Sequence, residues 1–109
     1  MNGNGKTRVL LIEREDVSFE AHAGPELDVT VERMPALGLV RLGWEDYDMV
    51  VLDTETAGPS ARQILVDFLK RNHLAFMFLI PERESGNGVP SLARTRPQEF
   101  AAKVQHLLA

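Results

Sequence analysis

Two acidic segments carry the residue types with which this chain could do chemistry. Glu13-Arg14-Glu15-Asp16 follows directly on the apolar run Val9-Leu10-Leu11-Ile12, and Asp53-Thr54-Glu55 follows Met49-Val50-Val51-Leu52. Carboxylates that leave neighbouring strand ends converge on one crevice, and in open α/β sheets ligands favour that crevice.

Other chemistries find less support. The chain has no cysteine, which excludes disulfides, thiolate metal sites and thiol catalysis and fits a reducing compartment. His22, His73 and His106 are scattered without metal-ligand spacing and are expected at the surface or at helix ends. No Ser lies in an elbow motif with a His and an acid, so a hydrolase triad is not expected. Gly3-Asn4-Gly5-Lys6-Thr7 resembles the end of a phosphate-binding loop, but that loop works between a preceding strand and a following helix, and here a strand follows. Ser85-Gly86-Asn87-Gly88 follows a strand but lacks the Lys, and is expected to be loop. Trp44 and Tyr47 are expected to pack on the sheet, with a partner anchor as the alternative.

The elements that must position the acids are legible from patterning. The runs at 9–12, 49–52 and Ala75-Phe76-Met77-Phe78-Leu79-Ile80 are continuous and apolar, as strands buried on both faces are. Leu27-Asp28-Val29-Thr30-Val31-Glu32 alternates and suits a sheet edge, as does the weaker Ser91-Leu92-Ala93-Arg94. Ile64, Leu65, Phe68 and Leu69 form an amphipathic stripe within a helix predicted over 60–72, with Ser60 and Gln63 as a capping box. Phe100, Val104, Leu107 and Leu108 form another, within a helix predicted over 97–109. A shorter helix is predicted over 36–44. Only a turn or two fits before Gly24-Pro25, and 82–90 is expected to be loop.

This order predicts one parallel, doubly wound α/β domain over 7–109 behind a disordered tail at 1–6, with shortened first and fourth helices. Inner character in strands one, three and four, and edge character in two and five, gives the flavodoxin-like order 2-1-3-4-5. In that order the winding reverses between strands one and three. Their carboxyl ends, with Glu13 and Asp53, then flank the crevice where ligands bind. A formal net charge of −4 favours neither nucleic acid nor an anionic membrane. With no bilayer-length apolar run and no apolar leader at the start, a cytoplasmic protein is expected.

Over roughly 8–108 the chain resembles the receiver domains of response regulators. Asp48-Met49-Val50-Val51-Leu52-Asp53 is similar to the strand that presents their phospho-accepting Asp, the following helix keeps the family's spacing, and Arg96-Pro97 stands where they carry Lys-Pro. The resemblance implies that a partner histidine kinase phosphorylates Asp53, with magnesium held by Glu13, Asp53 and the backbone carbonyl of Glu55, and that Arg96 contacts the phosphate. The departures are pronounced. Arg14 puts a fixed cation at the second acidic position, where it could replace or exclude the metal; Ile80 stands in place of the hydroxyl residue; Arg96 replaces Lys; and Leu92 or Ala93 replaces an aromatic. The expectation is an atypical or pseudo-receiver: a non-enzymatic signalling module that binds another protein, a kinase or a downstream target, with phosphorylation lost or reduced. A working phosphoryl acceptor is the alternative. An unrelated small enzyme or flavin binder of the same topology ranks third, because the loop after strand one, Glu13 to Asp16, is acidic and lacks the Ser, Thr and Gly that cradle a flavin phosphate.

Overall fold

The computed structural model describes residues 5–13, 19–81 and 88–109. Five parallel strands form one sheet: β1 (Thr7–Ile12), β2 (Leu27–Glu32), β3 (Met49–Asp53), β4 (Ala75–Ile80) and β5 (Ser91–Ala93), in the order β2-β1-β3-β4-β5. This is the flavodoxin-like arrangement. The register runs Val9↔Val29 on one side of β1 and Val9↔Met49 on the other, then Val51↔Met77 and Leu79↔Leu92.

Continuous apolar runs became inner strands because both of their faces are covered. Val9, Leu11, Met49, Val51, Met77, Leu79 and Leu92 point to one side, where Phe19, Phe100 and Val104 complete the core. Phe19 meets Phe100 edge to face at 5.7 Å, which docks helix α3 (Phe100–Leu108) on that side. Leu10, Ile12, Val50, Leu52, Phe78 and Ile80 point to the other side, under helices α1 (Pro35–Trp44) and α2 (Pro59–Arg71).

The helix ends differ in detail from the expectation. Helix α2 starts at Pro59, not Ser60, and Gly58 occupies the cap with no side-chain hydrogen bond. Proline at the first helical position has a preset φ and no amide to leave unpaired, so it displaces the expected capping box. Pro97 opens a 3-10 turn, Pro97–Glu99, and the α-helix proper begins at Phe100. His73, with φ 55°, closes α2 in the left-handed region while the Leu74 amide reaches back to the Leu69 carbonyl at 3.0 Å, a Schellman end. Among the described residues the β1–β2 connection holds only the 3-10 turn Glu20–His22. Residues 82–87, where the fourth helix was expected to be short, lie outside the described residues, as do 1–4 of the expected tail.

Helix α1 is fixed by two contacts. Gly38 is buried against β1, and a Cβ there would lie 2.6 Å from Ile12 Cδ1. Glu32, at the end of β2, accepts from Arg41 Nε at 2.8 Å and from the amides of Arg33 at 3.0 Å and Met34 at 3.3 Å, so one carboxylate holds both a helix start and its second turn. The Arg41 hydrogen bond, aided by those amides, holds the Glu32 carboxyl below its ordinary value.

Gly38→Val is expected to lower unfolding free energy by about 1–3 kcal/mol in urea titration, through overpacking; Ile12→Val, which removes Cδ1, should recover part of that loss in a double-mutant cycle. Because the Glu32 pKa is depressed in the folded state, its contribution is complete above the ordinary carboxylate range and fades as pH falls through the native value. Stability curves against pH should therefore show a shallower acid limb for Glu32→Gln than for the wild type.

Candidate functional site

At the carboxyl end of the sheet, strand alternation decides which side chains share a face. Asp53 continues the side of Met49 and Val51, and Glu13 continues that of Val9 and Leu11. Ile12 pairs with Leu52, so Glu13 and Asp53 leave adjacent strands at the same level. The expected convergence of strands one and three is present. Both residues are 0% exposed, alone among the carboxylates described.

Each buried acid has backbone partners. Glu13 Oε1 accepts from the Phe19 amide at 3.2 Å. Asp53 Oδ1 accepts from the Glu55 amide at 2.9 Å, and the Asp53 carbonyl accepts from the Thr56 amide at 3.0 Å, so the chain turns immediately after β3. Thr54 buries its side chain and reaches the Leu79 carbonyl through its amide at 3.0 Å and its hydroxyl at 3.3 Å. Arg62, from the first turn of α2, donates to the Thr54 carbonyl at 2.9 Å. The Glu55 amide orients the Asp53 carboxylate, and the Thr54 and Arg62 bonds anchor the strand end that carries it.

The cation at this site is Arg94. Its Nε lies 3.4 Å from Asp53 Oδ2, and its Nη1 pairs with Glu55 Oε2 at 2.8 Å. The Arg94 side chain is 15% exposed and Glu55 is 40% exposed, so Glu55 holds the guanidinium from the solvent side while the buried Asp53 faces it from within. Neither Asp53 Oδ2 nor Arg94 Nε has a hydrogen-bond partner among the described residues. Their contact is an ion pair without a directed bond.

The site therefore gathers Glu13, Asp53, Glu55 and Arg94, and leaves Arg96 aside. Arg96 is exposed and lies 3.8 Å from Glu99. Sequence reasoning followed the Arg96-Pro97 pair and passed over Arg94, although the signal was present: Leu92 faces the same core as Val51, and two residues on, Arg94 must face the same side as Asp53. Ile80 packs in the opposite core, beneath α2, and offers Asp53 neither a hydroxyl nor an apolar cover. Arg14, the cation expected to block a metal, lies outside the described residues, as do Glu15 and Asp16. His22 and His106 are exposed and His73 ends a helix, and no group of three or more His, Asp or Glu side chains able to hold a metal ion occurs among the described residues.

As a magnesium site the donor set is right in kind, since Glu13 and Asp53 offer hard oxygens, but wrong in arrangement. Asp53 Oδ2, the oxygen left over from the Glu55 amide, is the one that Arg94 faces, and Glu55 turns its carboxylate to the same guanidinium. A divalent cation there would stand beside a fixed positive charge.

Removing the guanidinium should expose the cost of burying Asp53. Arg94→Met is expected to lower unfolding free energy by about 3 kcal/mol at neutral pH, because an uncompensated carboxylate stays behind in the interior. Adding Asp53→Asn should restore most of that loss. Equal losses with and without Asp53→Asn would show that Arg94 acts through packing alone. No protein-family model matches the chain and no curated protein matches its sequence.

Proposed function

We propose that the protein is a signalling module with a receiver-like fold that works by binding another protein and has lost or reduced phosphorylation at Asp53. One observation carries this reading: the guanidinium of Arg94, braced by Glu55, already faces the buried oxygen with which Asp53 would attack a phosphoryl group. A nucleophilic carboxylate needs a free oxygen with an open approach and a cation that neutralises the incoming phosphate. Here the approach is buried and the positive charge is engaged with two carboxylates of the protein itself. The arrangement resembles a receiver site locked in one charge state, consistent with the departures at Arg14 and Ile80 in the sequence. A non-enzymatic role in the cytoplasm, with a kinase or a downstream target as partner, fits the same reading.

A second reading has one observation in its favour. Asp53 Oδ2 has no hydrogen-bond donor among the described residues, so its lone pairs are not committed. In a working acceptor that oxygen attacks the phosphorus of a phosphohistidine, the P–N bond breaks, and the imidazole leaves with the electron pair. Arg94 would then turn its planar fork toward the new phosphoryl oxygens.

Incubation with a small acyl phosphate and magnesium, followed by intact mass measurement, separates the two. The first reading predicts an unmodified chain, or a trace adduct, under conditions that fully label an ordinary receiver. Stoichiometric addition of one phosphate, abolished by Asp53→Asn, would establish the second.

A further inference from the structure

Helix α2 has two flanks. One, with Ala61, Ile64 and Leu65, turns toward α1, whose outer Trp44 is 86% exposed. The other, with Arg62, Gln63, Val66 and Lys70, turns toward the β4–β5 side of the sheet, where Phe78 and Val89 complete a groove of about 340 Å³. The crossover from β4 to β5 contributes no helix among the described residues, and this flank of α2 stays open.

Charge sets the groove apart. Acids outnumber bases 16 to 12 in the chain, and Arg41, Arg94 and Arg96 each lie within ion-pair distance of a carboxylate. Arg62 and Lys70 have no carboxylate at that distance among the described residues. Arg62 makes one hydrogen bond, from Nη2 to the Thr54 carbonyl at 2.9 Å, and its buried Nε has no partner there. Asp67, the acid on the neighbouring face of the helix, accepts from Gln63 Nε2 at 2.8 Å. An acidic protein thus offers two uncommitted cations in one groove, with apolar side chains between them.

Their spacing defines what would fit. Arg62 and Lys70 are two helical turns apart, about 12 Å along the axis, with Val66 midway. An extended chain puts residues i, i+2 and i+4 on one face, with about 13 Å from first to last. Carboxylates at the two ends and an apolar side chain in the middle therefore meet both cations and the floor of Val66, Phe78 and Val89 in a single register.

We propose that this groove binds an acidic segment of a partner protein in extended form, with the pattern acid–x–apolar–x–acid. The proposal rests on the reading of the protein as a binding module and names the chemistry of its partner. The two fail separately, because acyl phosphate labelling tests Asp53 and peptide titration tests the groove.

The probe is the end-blocked peptide Gly-Glu-Ser-Leu-Ser-Glu-Gly, titrated into the full nitrogen-15-labelled chain and followed through backbone amide resonances. Amides of Gln63, Val66, Lys70 and Val89 are expected to shift saturably, while those of α1 stay fixed. Replacing the peptide Leu by Ser should weaken binding about tenfold or more. Lys70→Glu, at an exposed position, should weaken it similarly, and one of the two peptides with a single Glu changed to Lys should then bind that variant better than the wild-type chain. The peptide changes keep the test decisive even if Lys70→Glu perturbs folding. Absence of groove shifts at millimolar peptide overturns the proposal. Equal affinity for a peptide of the same composition with its two Glu adjacent does so too, since it would show charge attraction without register. Shifts that appear only after Glu82→Gln and Glu84→Gln are introduced together also overturn it, and give the groove to the chain's own carboxylates.

Discussion

A carboxylate with no exposed surface at the end of β3 has to be compensated, and the way Asp53 is compensated organises everything around it. Leaving a charge of this kind in the interior costs several kcal/mol unless partners are close and well placed. The Glu55 amide takes one oxygen and Arg94 faces the other, while Glu55 holds Arg94 in turn. For that geometry to exist, β5 must lie in register with β4 so that Arg94 emerges two residues beyond Leu92 on the correct face. The backbone bond from Arg94 to the Ile80 carbonyl, at 2.9 Å, extends the ladder by one residue and fixes this. The charge state of the site and the placement of the edge strand are thus one fact seen from two sides.

The sheet was largely legible in the sequence because its inner and outer strands obey different rules. Val9–Ile12, Met49–Leu52 and Ala75–Ile80 have no polar face to show to water, and Leu27–Glu32 has one; the order 2-1-3-4-5 places each where its surface demands. The same logic placed Glu13 and Asp53 side by side. It stopped short at β5, where three residues are too few to give a pattern on their own. Arg94 and Arg96 share a parity, and a following proline drew attention to the second, yet only the first remains within reach of the sheet once Pro97 starts a helical turn. The helix starts were blurred for a related reason: Pro59 and Pro97 each dictate a first turn by covalent geometry, which side-chain capping patterns do not reveal.

Helix α1 carries two glycines in ten residues, and they serve opposite faces. Gly38 lets the helix approach Ile12 closely, whereas Gly43 is open to solvent. With Arg41 spent on Glu32, nothing polar remains to solvate the outer surface of the helix, so the tether that holds α1 to the sheet is also what leaves its outer surface apolar.

Arg94 stands as counter-ion to Asp53 where a metal-dependent acceptor would need the place open. Magnesium titration followed through the backbone amide of Glu55, which donates directly to Asp53, tests it at the atom concerned. In the wild-type chain the amide resonance is expected not to shift at millimolar magnesium, and to begin to shift once Arg94→Met removes the guanidinium. A saturable shift in the wild type, with Arg94 in place, would contradict it.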